Sequence, residues 1–362
     1  MNFSSIWSIL VSLFIISIFI VVHEWGHYIT GKKLGFQIDE FAIGMGPKIF
    51  GWKRGETEFS IRCIPAGGFC RFAGEDEDDG GDNPRAMNNR PAWARMIMTA
   101  AGSIMNILFA IILAIATFAI FGQLQIDDSA YVYEVVADSP AYAAGLQYGD
   151  KIVSFDGQQI TTVDSAVNVI AQSDGEPAQL IVERNGERIA LQIAPEYSEE
   201  YDSYKVGVSL SQGQIRVKLT FWESVREGFL LVWETIVAIF AFLRNLFGSL
   251  FRKLFVDSSL TVEGTGDVMS IVGVVGIMSF AVRENVELLL WLAVTISANL
   301  GVMNLLPIPA LDGSRLLFQF YELVTRRRVK PEHEGLVHLI GFALFMALFV
   351  VLGIRDVMRF IG

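Results

Sequence analysis

The sequence is poor in the residues that most often carry covalent or metal chemistry. It holds two cysteines and four histidines in 362 residues. Cys63 and Cys70 exclude a disulfide framework, their spacing suits no common metal site, and both read as free thiols. Charge is also scarce, at 19% of residues against about 25% in ordinary soluble domains. Apolar residues make up 52% of the chain and the mean hydropathy is +0.44, which excludes an ordinary soluble protein of this length. Length alone would suggest two or three domains. Basic residues are sparse where a nucleic-acid surface would need them. Residues 123–220 hold six Lys/Arg against fifteen Asp/Glu, so the net charge of −11 arises mainly there and no nucleic-acid partner is expected. No Lys or Arg precedes Lys32, and no small-residue cleavage site follows the first apolar run. That run therefore reads as an anchor rather than a secretory signal.

What the chain has in abundance is long apolar runs. A spanning helix needs about 20 mostly apolar residues. Residues 6–28, 96–121, 288–306 and 336–354 qualify. Ten Lys/Arg fall between Lys32 and Arg95, and "TRRRVK" lies between the third and fourth runs. The positive-inside rule puts both basic loops in the cytoplasm, and hence both termini and the acidic middle segment outside. Residues 221–255 are apolar but carry Glu223, Arg226, Glu227, Glu234, Arg244, Arg252 and Lys253. Recurring charge favours an amphipathic helix or helix pair on the outer membrane face over a fifth span. Residues 264–282, Gly-rich with few charges, have the composition to dip into the bundle.

Residues 131–195 read as a small soluble module. "YVYEVV" is a strand, followed by a short Ala-rich helix, a hairpin turning at Asp156-Gly157, the helix "VDSAVNVIAQ", and a second hairpin turning at Asn185-Gly186. The pattern "SPAYAAGLQYGDKIVSFDGQQI" resembles a PDZ domain of the bacterial type. Such domains bind extended peptides by adding a strand to an open edge; a spacer or size filter over the membrane part is the alternative.

The chemistry sits at the end of the first apolar run. His23, Glu24 and His27 form H-E-x-x-H. On a helix, positions i and i+4 share a face, so both imidazoles reach one ion, with the glutamate beside its bound water. Ionisable groups in a span cost about 2.5–3.5 kcal/mol each on insertion scales, which makes a functional role the default. The bland alternative is an interfacial cluster on an anchor helix. Catalytic zinc needs a third protein ligand. His333 and His338 flank a cytoplasmic loop. Asp312, in "NLLPIPALDG", lies on the same side as the end of the first span and is the better candidate. Pro307 and Pro309 forbid continuous helix before it, and irregular backbone at membrane depth is tolerated only in protein or beside water.

H-E-x-x-H in the first span with N-x-x-P-x-P-x-L-D-G near the third resembles the signature pair of site-2 proteases, the intramembrane zinc metalloproteases. The layout is similar to the bacterial RseP-type branch, over nearly the whole chain, with a single PDZ module. The resemblance implies a polytopic α-helical membrane protein of about four transmembrane helices, with a membrane-associated β-hairpin region and one inserted extracytoplasmic α/β PDZ domain. The expected organisation is a first span (1–30), a cytoplasmic-side loop with the hairpin (31–95), a second span (96–121) and the PDZ domain (122–200). An interfacial linker (201–283), a third span (284–318), a cytoplasmic loop (319–335) and a fourth span with the C-terminus (336–362) follow.

The resemblance further implies His23, His27 and Asp312 as ligands of one Zn2+ and Glu24 as the base. Substrate contacts fall to Asn304, Pro307 and Pro309, and to a reentrant hairpin within residues 41–69 carrying Gly44 and Gly46. Substrates would be single-span membrane proteins or peptides, already shortened by another protease: anti-sigma factors, signal-peptide remnants or pheromone precursors. The bilayer is the second partner. The bacterial cell membrane is the expected location, with the active site toward the cytoplasmic leaflet. "AGSIMN" (residues 101–106) resembles another element of the family and is assigned to helix packing. A non-enzymatic scaffold whose PDZ module recruits partners is the competing reading.

Overall fold

The structure is a computed structural model that describes residues 3–75, 81–255, 270–329 and 331–361. It divides into two units, Met1–Phe121 with Thr220–Gly362, and Gly122–Leu219.

The first unit contains α1 (Phe3–Lys33), β1 (Ile38–Arg54), β2 (Thr57–Phe72) and α2 (Ala92–Phe121), then, after the second unit, α5 (Phe221–Phe255), α6 (Ile271–Glu284), α7 (Val286–Leu305), α8 (Asp312–Thr325) and α9 (Pro331–Ile361). Among the described residues, four helices are long and apolar enough to cross a membrane: Ile6–Lys33, Ala92–Phe121, Phe221–Ser249 and Val286–Leu305. The fourth expected run, 336–354, lies within α9. α1 has no charge before its motif and ends on Lys32 and Lys33, where cations suit the negative end of the helix dipole.

Small residues let the helices approach. A Cβ on Gly26 would lie 2.4 Å from the Ala101 carbonyl oxygen, and one on Gly301 would lie 2.9 Å from that of Ser103. Backbones at such distances pack without bulky side chains, as membrane helices require. Ala110, Ala114, Val232, Val294 and Ala298 form the buried seam of α2, α5 and α7.

Residues 221–255 take the single-helix form of the two expected and pack on α2. They form one continuous helix of 35 residues. It lies against α2, with Gly228 at Ile115 and Val232 buried beside Ala110 and Ala114. The reason is the placement of the charges. Between Glu227 and Arg244 only Glu234 is ionisable, so the polar residues cluster toward the ends and leave an apolar middle for packing. Residues 271–284 form the separate helix α6, hydrogen-bonded to α1 through Ser279 and Ser8 (2.6 Å, both buried); residues 264–269 lie outside the described residues.

β1 and β2 make more than a hairpin. Residues 48–54 pair with 57–62, residues 38–45 pair with 64–72, and residues 40–43 also stand beside 58–61. Both long strands therefore bend, and together they form a small curved sheet. Gly44 and Gly46, at φ +86° and +82°, supply the bend that other residues rarely adopt. Glu56 at the turn bonds Lys32 and Arg85. Those cations hold its carboxyl down to about 2, Arg85 contributing most.

The second unit contains β3 (Gln123–Val135), α3 (Pro140–Ala144), β4 (Lys151–Phe155), β5 (Gln158–Gln159), α4 (Val163–Ala171), β6 (Ala178–Arg184), β7 (Glu187–Ile193), β8 (Glu196–Ser198), β9 (Ser203–Lys205) and β10 (Val208–Val217). The main sheet runs β10-β3-β4-β6-β7, with β5 paired to β4; β8 and β9 form their own hairpin. Val132, Ile152, Phe155, Leu180 and Val182 fill the core with Ile170 of α4. Asn185 and Gly186 both have positive φ, the geometry of a tight hairpin turn. Strand β10 extends the unit past residue 200 to Leu219. Its pairing with β3 spans so much sequence that no local turn signal announces it.

Asp150 is fully buried and accepts bonds from Arg184 Nε (2.6 Å), Arg184 Nη2 (2.7 Å) and the Gln147 N–H (2.9 Å). Breaking a buried pair costs about 3–5 kcal/mol because the remaining charge is stranded. Arg184→Ala should therefore speed amide hydrogen exchange across β4 and β6 in the intact protein. Wild-type exchange there would show the pair to be dispensable.

Candidate active site

The site is built on α1, where His23 and His27 lie one turn apart, both buried. Their rings meet edge-on, with centroids 4.7 Å apart at 83°. Asp312 arrives from a chain reversal. Pro307 and Pro309 stop α7, Ala310 takes φ +75°, and α8 starts at Asp312. The reversal is tight: a Cβ on Gly313 would lie 1.9 Å from the Leu306 carbonyl oxygen, so only glycine fits. α9 closes over it, with Gly341 against Pro309.

Three donor atoms converge. His23 Nε2 lies 3.0 Å from Asp312 Oδ2, His27 Nε2 lies 3.2 Å from it, and the two nitrogens are 3.1 Å apart. The Nδ1–H of His27 donates to the Met98 carbonyl at 2.9 Å, which leaves Nε2 as the lone-pair side. An imidazole lone pair and a carboxylate oxygen facing each other in a buried pocket repel unless a proton or a metal cation lies between them. A tetrahedral ion with bonds of about 2.0–2.1 Å spaces its ligands about 3.3–3.4 Å apart, close to the observed triangle. These residues fit a zinc ion. Among the described residues they are the one group of three or more His, Cys, Asp or Glu side chains set for a metal.

The trio opens onto a cavity of about 580 Å³, lined by Glu24, His27 and Asp312 on one side and by residues 69–72 of β2 on the other. Glu24 is half-buried, one residue from His23, and its Cγ would sit 3.7 Å from a Cβ at Gly68. Residues 68–72 pair with β1 along one edge; the other edge has no strand partner among the described residues. Two ion pairs and a neutral hydrogen bond brace the walls. Arg95 of α2 bonds Glu322 of α8 at 2.6 Å, Gln319 bonds Thr99 at 3.2 Å, and Arg315 bonds Glu75 at 2.6 Å.

Placement of the expected residues is therefore mixed. His23, Glu24, His27 and Asp312 come together. Asn304 lies half-buried in the last turn of α7, and Asn304, Pro307 and Pro309 do not line the cavity, whereas Ala310 and Leu311 do. Gly44 and Gly46 face Ile64 and Cys63 inside the sheet. The strand edge at the cavity is instead residues 68–72, because β1 is flanked on both sides by parts of β2. His338 lines the cavity and touches Ser314 Oγ and the Ala310 N–H at 3.4 Å; His333 is exposed. Sequence reading missed Arg315, Glu75, Thr99 and the β2 edge. The alternating apolar pattern before Phe72 was the only signal for the last.

Residues 11–348 match Peptidase family M50. Metalloprotease MmpA of Caulobacter vibrioides is 31% identical over 390 residues, covering 97% of this chain and 96% of that protein. Zinc metalloprotease RasP of Oceanobacillus iheyensis is 29% identical over 424 residues, covering 94% and 96%. Among solved structures, the PDZ domain of an SdrC-like protein from Listeria monocytogenes is similar at 23% identity, covering 23% of this chain and 87% of that one, with a TM-score of 0.21.

Proposed function

The chain belongs to peptidase family M50, and from that premise we propose that it cuts single-span membrane substrates within the bilayer, using His23, His27 and Asp312 as zinc ligands and Glu24 as base. It is a zinc metalloprotease and a multi-pass membrane protein. The observation that carries the finer reading is the triangle of His23 Nε2, His27 Nε2 and Asp312 Oδ2, with sides of 3.0–3.2 Å, on a helix long and apolar enough to span.

Zinc, when bound, polarises a carbonyl and acidifies a water. Glu24 takes a proton as the water oxygen attacks the scissile carbonyl carbon. It returns that proton to the amine nitrogen as the C–N bond breaks. A helical substrate must first unwind, since its carbonyls are internally bonded. The edge at residues 68–72, with no second strand beside it among the described residues and with the Phe72 N–H bonded only to the Glu75 side chain at 3.4 Å, supports strand pairing as the device that holds the unwound segment. This replaces the Gly44–Gly46 edge, whose part is to bend the sheet.

The basic ends of the loops favour a cytoplasmic position for the site and an external one for the middle unit, in the bacterial cell membrane. As a PDZ-type module the middle unit would act on substrates already shortened by another protease, as filter or peptide reader. Anti-sigma factors, signal-peptide remnants and pheromone precursors have the required single span.

Purified protein should cleave a single-span reporter, and a zinc chelator should stop it. Asp312→Ala should lose zinc, measured as metal per protein, with at least tenfold weaker retention. Full zinc occupancy in that variant would move the third ligand elsewhere, His338 being next in line.

A further inference from the structure

Among the buried polar atoms of the described residues that have no hydrogen-bond partner, three lie on α1 and α2: His23 Nδ1, Ser103 Oγ and Asn106 Oδ1. Stranding such a group away from water is unfavourable, so two on neighbouring helices call for an explanation.

Three contacts fix the levels of α1 and α2. Gly26 meets Ala101, the His23 ring meets Gly102, and the Phe19 ring lies 6.2 Å from that of Phe109. The helices are antiparallel. Asn106 falls between Gly102 and Phe109, at the level of His23, and one turn beyond Gly102 on nearly the same face. It is 1% exposed, and its own carbonyl accepts from Ser297 Oγ at 2.9 Å, which anchors its backbone.

The two groups are chemically complementary. With Nε2 turned to the metal, neutral His23 carries its proton on Nδ1 and can only donate there. The amide Oδ1 can only accept. His27 has the equivalent arrangement already made, its Nδ1–H on the Met98 carbonyl. Metal-binding imidazoles almost always have such a partner, which sets tautomer and ring plane. His23 is the ligand still lacking one.

We propose that Asn106 is the positioning residue for His23, its Oδ1 accepting the Nδ1–H directly or through one water and so aiming Nε2 at the metal. The inference rests on the reading of His23 as a zinc ligand. It gives a chemical role to a residue that sequence reading assigned to packing.

The test is zinc affinity of full-length purified protein, by chelator competition, with the unfolding temperature of the metal-free form measured alongside. Asn106→Leu should bind zinc 10–100-fold more weakly, while its metal-free unfolding temperature stays level or rises, because a stranded carbonyl has been removed. Asn106→Asp retains an acceptor and should hold zinc within a fewfold of wild type. Ser103→Ala should match wild type. Wild-type affinity in Asn106→Leu would overturn the proposal. So would equal loss in the Leu and Asp variants with a lowered metal-free unfolding temperature, which marks a packing role, or loss in Ser103→Ala instead. His23→Ala separates the two levels. If it binds zinc normally, the ligand reading itself fails; if it loses zinc while Asn106→Leu does not, only the role of Asn106 fails.

Discussion

Glu24→Gln is expected to lower peptide-bond cleavage by about 10⁴-fold while zinc stays bound at the wild-type ratio. The size follows from the number of proton transfers. A positioned general acid or base contributes about 10²–10⁴-fold, and Glu24 serves twice, taking the proton from water and delivering it to the amine. Glutamine keeps the shape and the position beside residues 68–72 but has no basic oxygen. The zinc expectation follows from geometry: the triangle of His23, His27 and Asp312 does not include Glu24. The measurement pairs reporter cleavage by purified protein with metal content of the same sample. Cleavage within tenfold of wild type would remove Glu24 from the base role. Loss of zinc would make it a ligand and reopen the place of Asp312.

The motif was legible because its chemistry is local. Three polar residues at i, i+1 and i+4 in an apolar run state their helix face and their purpose together. Asp312, 289 residues away, had no such local warrant; the resemblance to site-2 proteases and the two prolines picked it out. What lies between was harder to read. In α5 the charges of Glu223, Arg226, Arg252 and Lys253 at the ends mask the apolar middle that packs on α2. Strand alternation announced β1 and β2 but not their bending, which depends on Gly44 and Gly46 meeting Ile64 and Cys63. That bending decides which edge meets the cavity. Arg95 looked like a charge marking the start of a span. Its partner Glu322 is 227 positions on, and periodicity carries no information at that range.

Gly102→Ala should be strongly damaging although Gly102 is neither a ligand nor the base, and it tests whether α2 shapes the metal site. An added Cβ would lie 2.4 Å from His27 Nε2, 2.7 Å from His27 Cε1 and 2.8 Å from His23 Cε1. Carbon and nitrogen do not approach so closely, so something must move. α2 has little freedom to withdraw, because Gly301 of α7 backs it at Ser103 and Ile107. The imidazoles therefore swing, and both their Nε2 atoms leave Asp312. Overpacking of this kind costs about 1–3 kcal/mol in stability, but the functional loss is larger, since misplacement by about 1 Å can cost about 10²-fold. Zinc retention and reporter cleavage should each fall by about 100-fold or more. Gly301→Ala supplies the contrast. It crowds α2 from the other side, 2.7 Å from Ile107 Cγ1, with no ring in the way, and should lower thermal stability while zinc is kept. If Gly102→Ala binds zinc as wild type does, the two helices part more readily than their packing implies, and Gly102 is a packing residue alone.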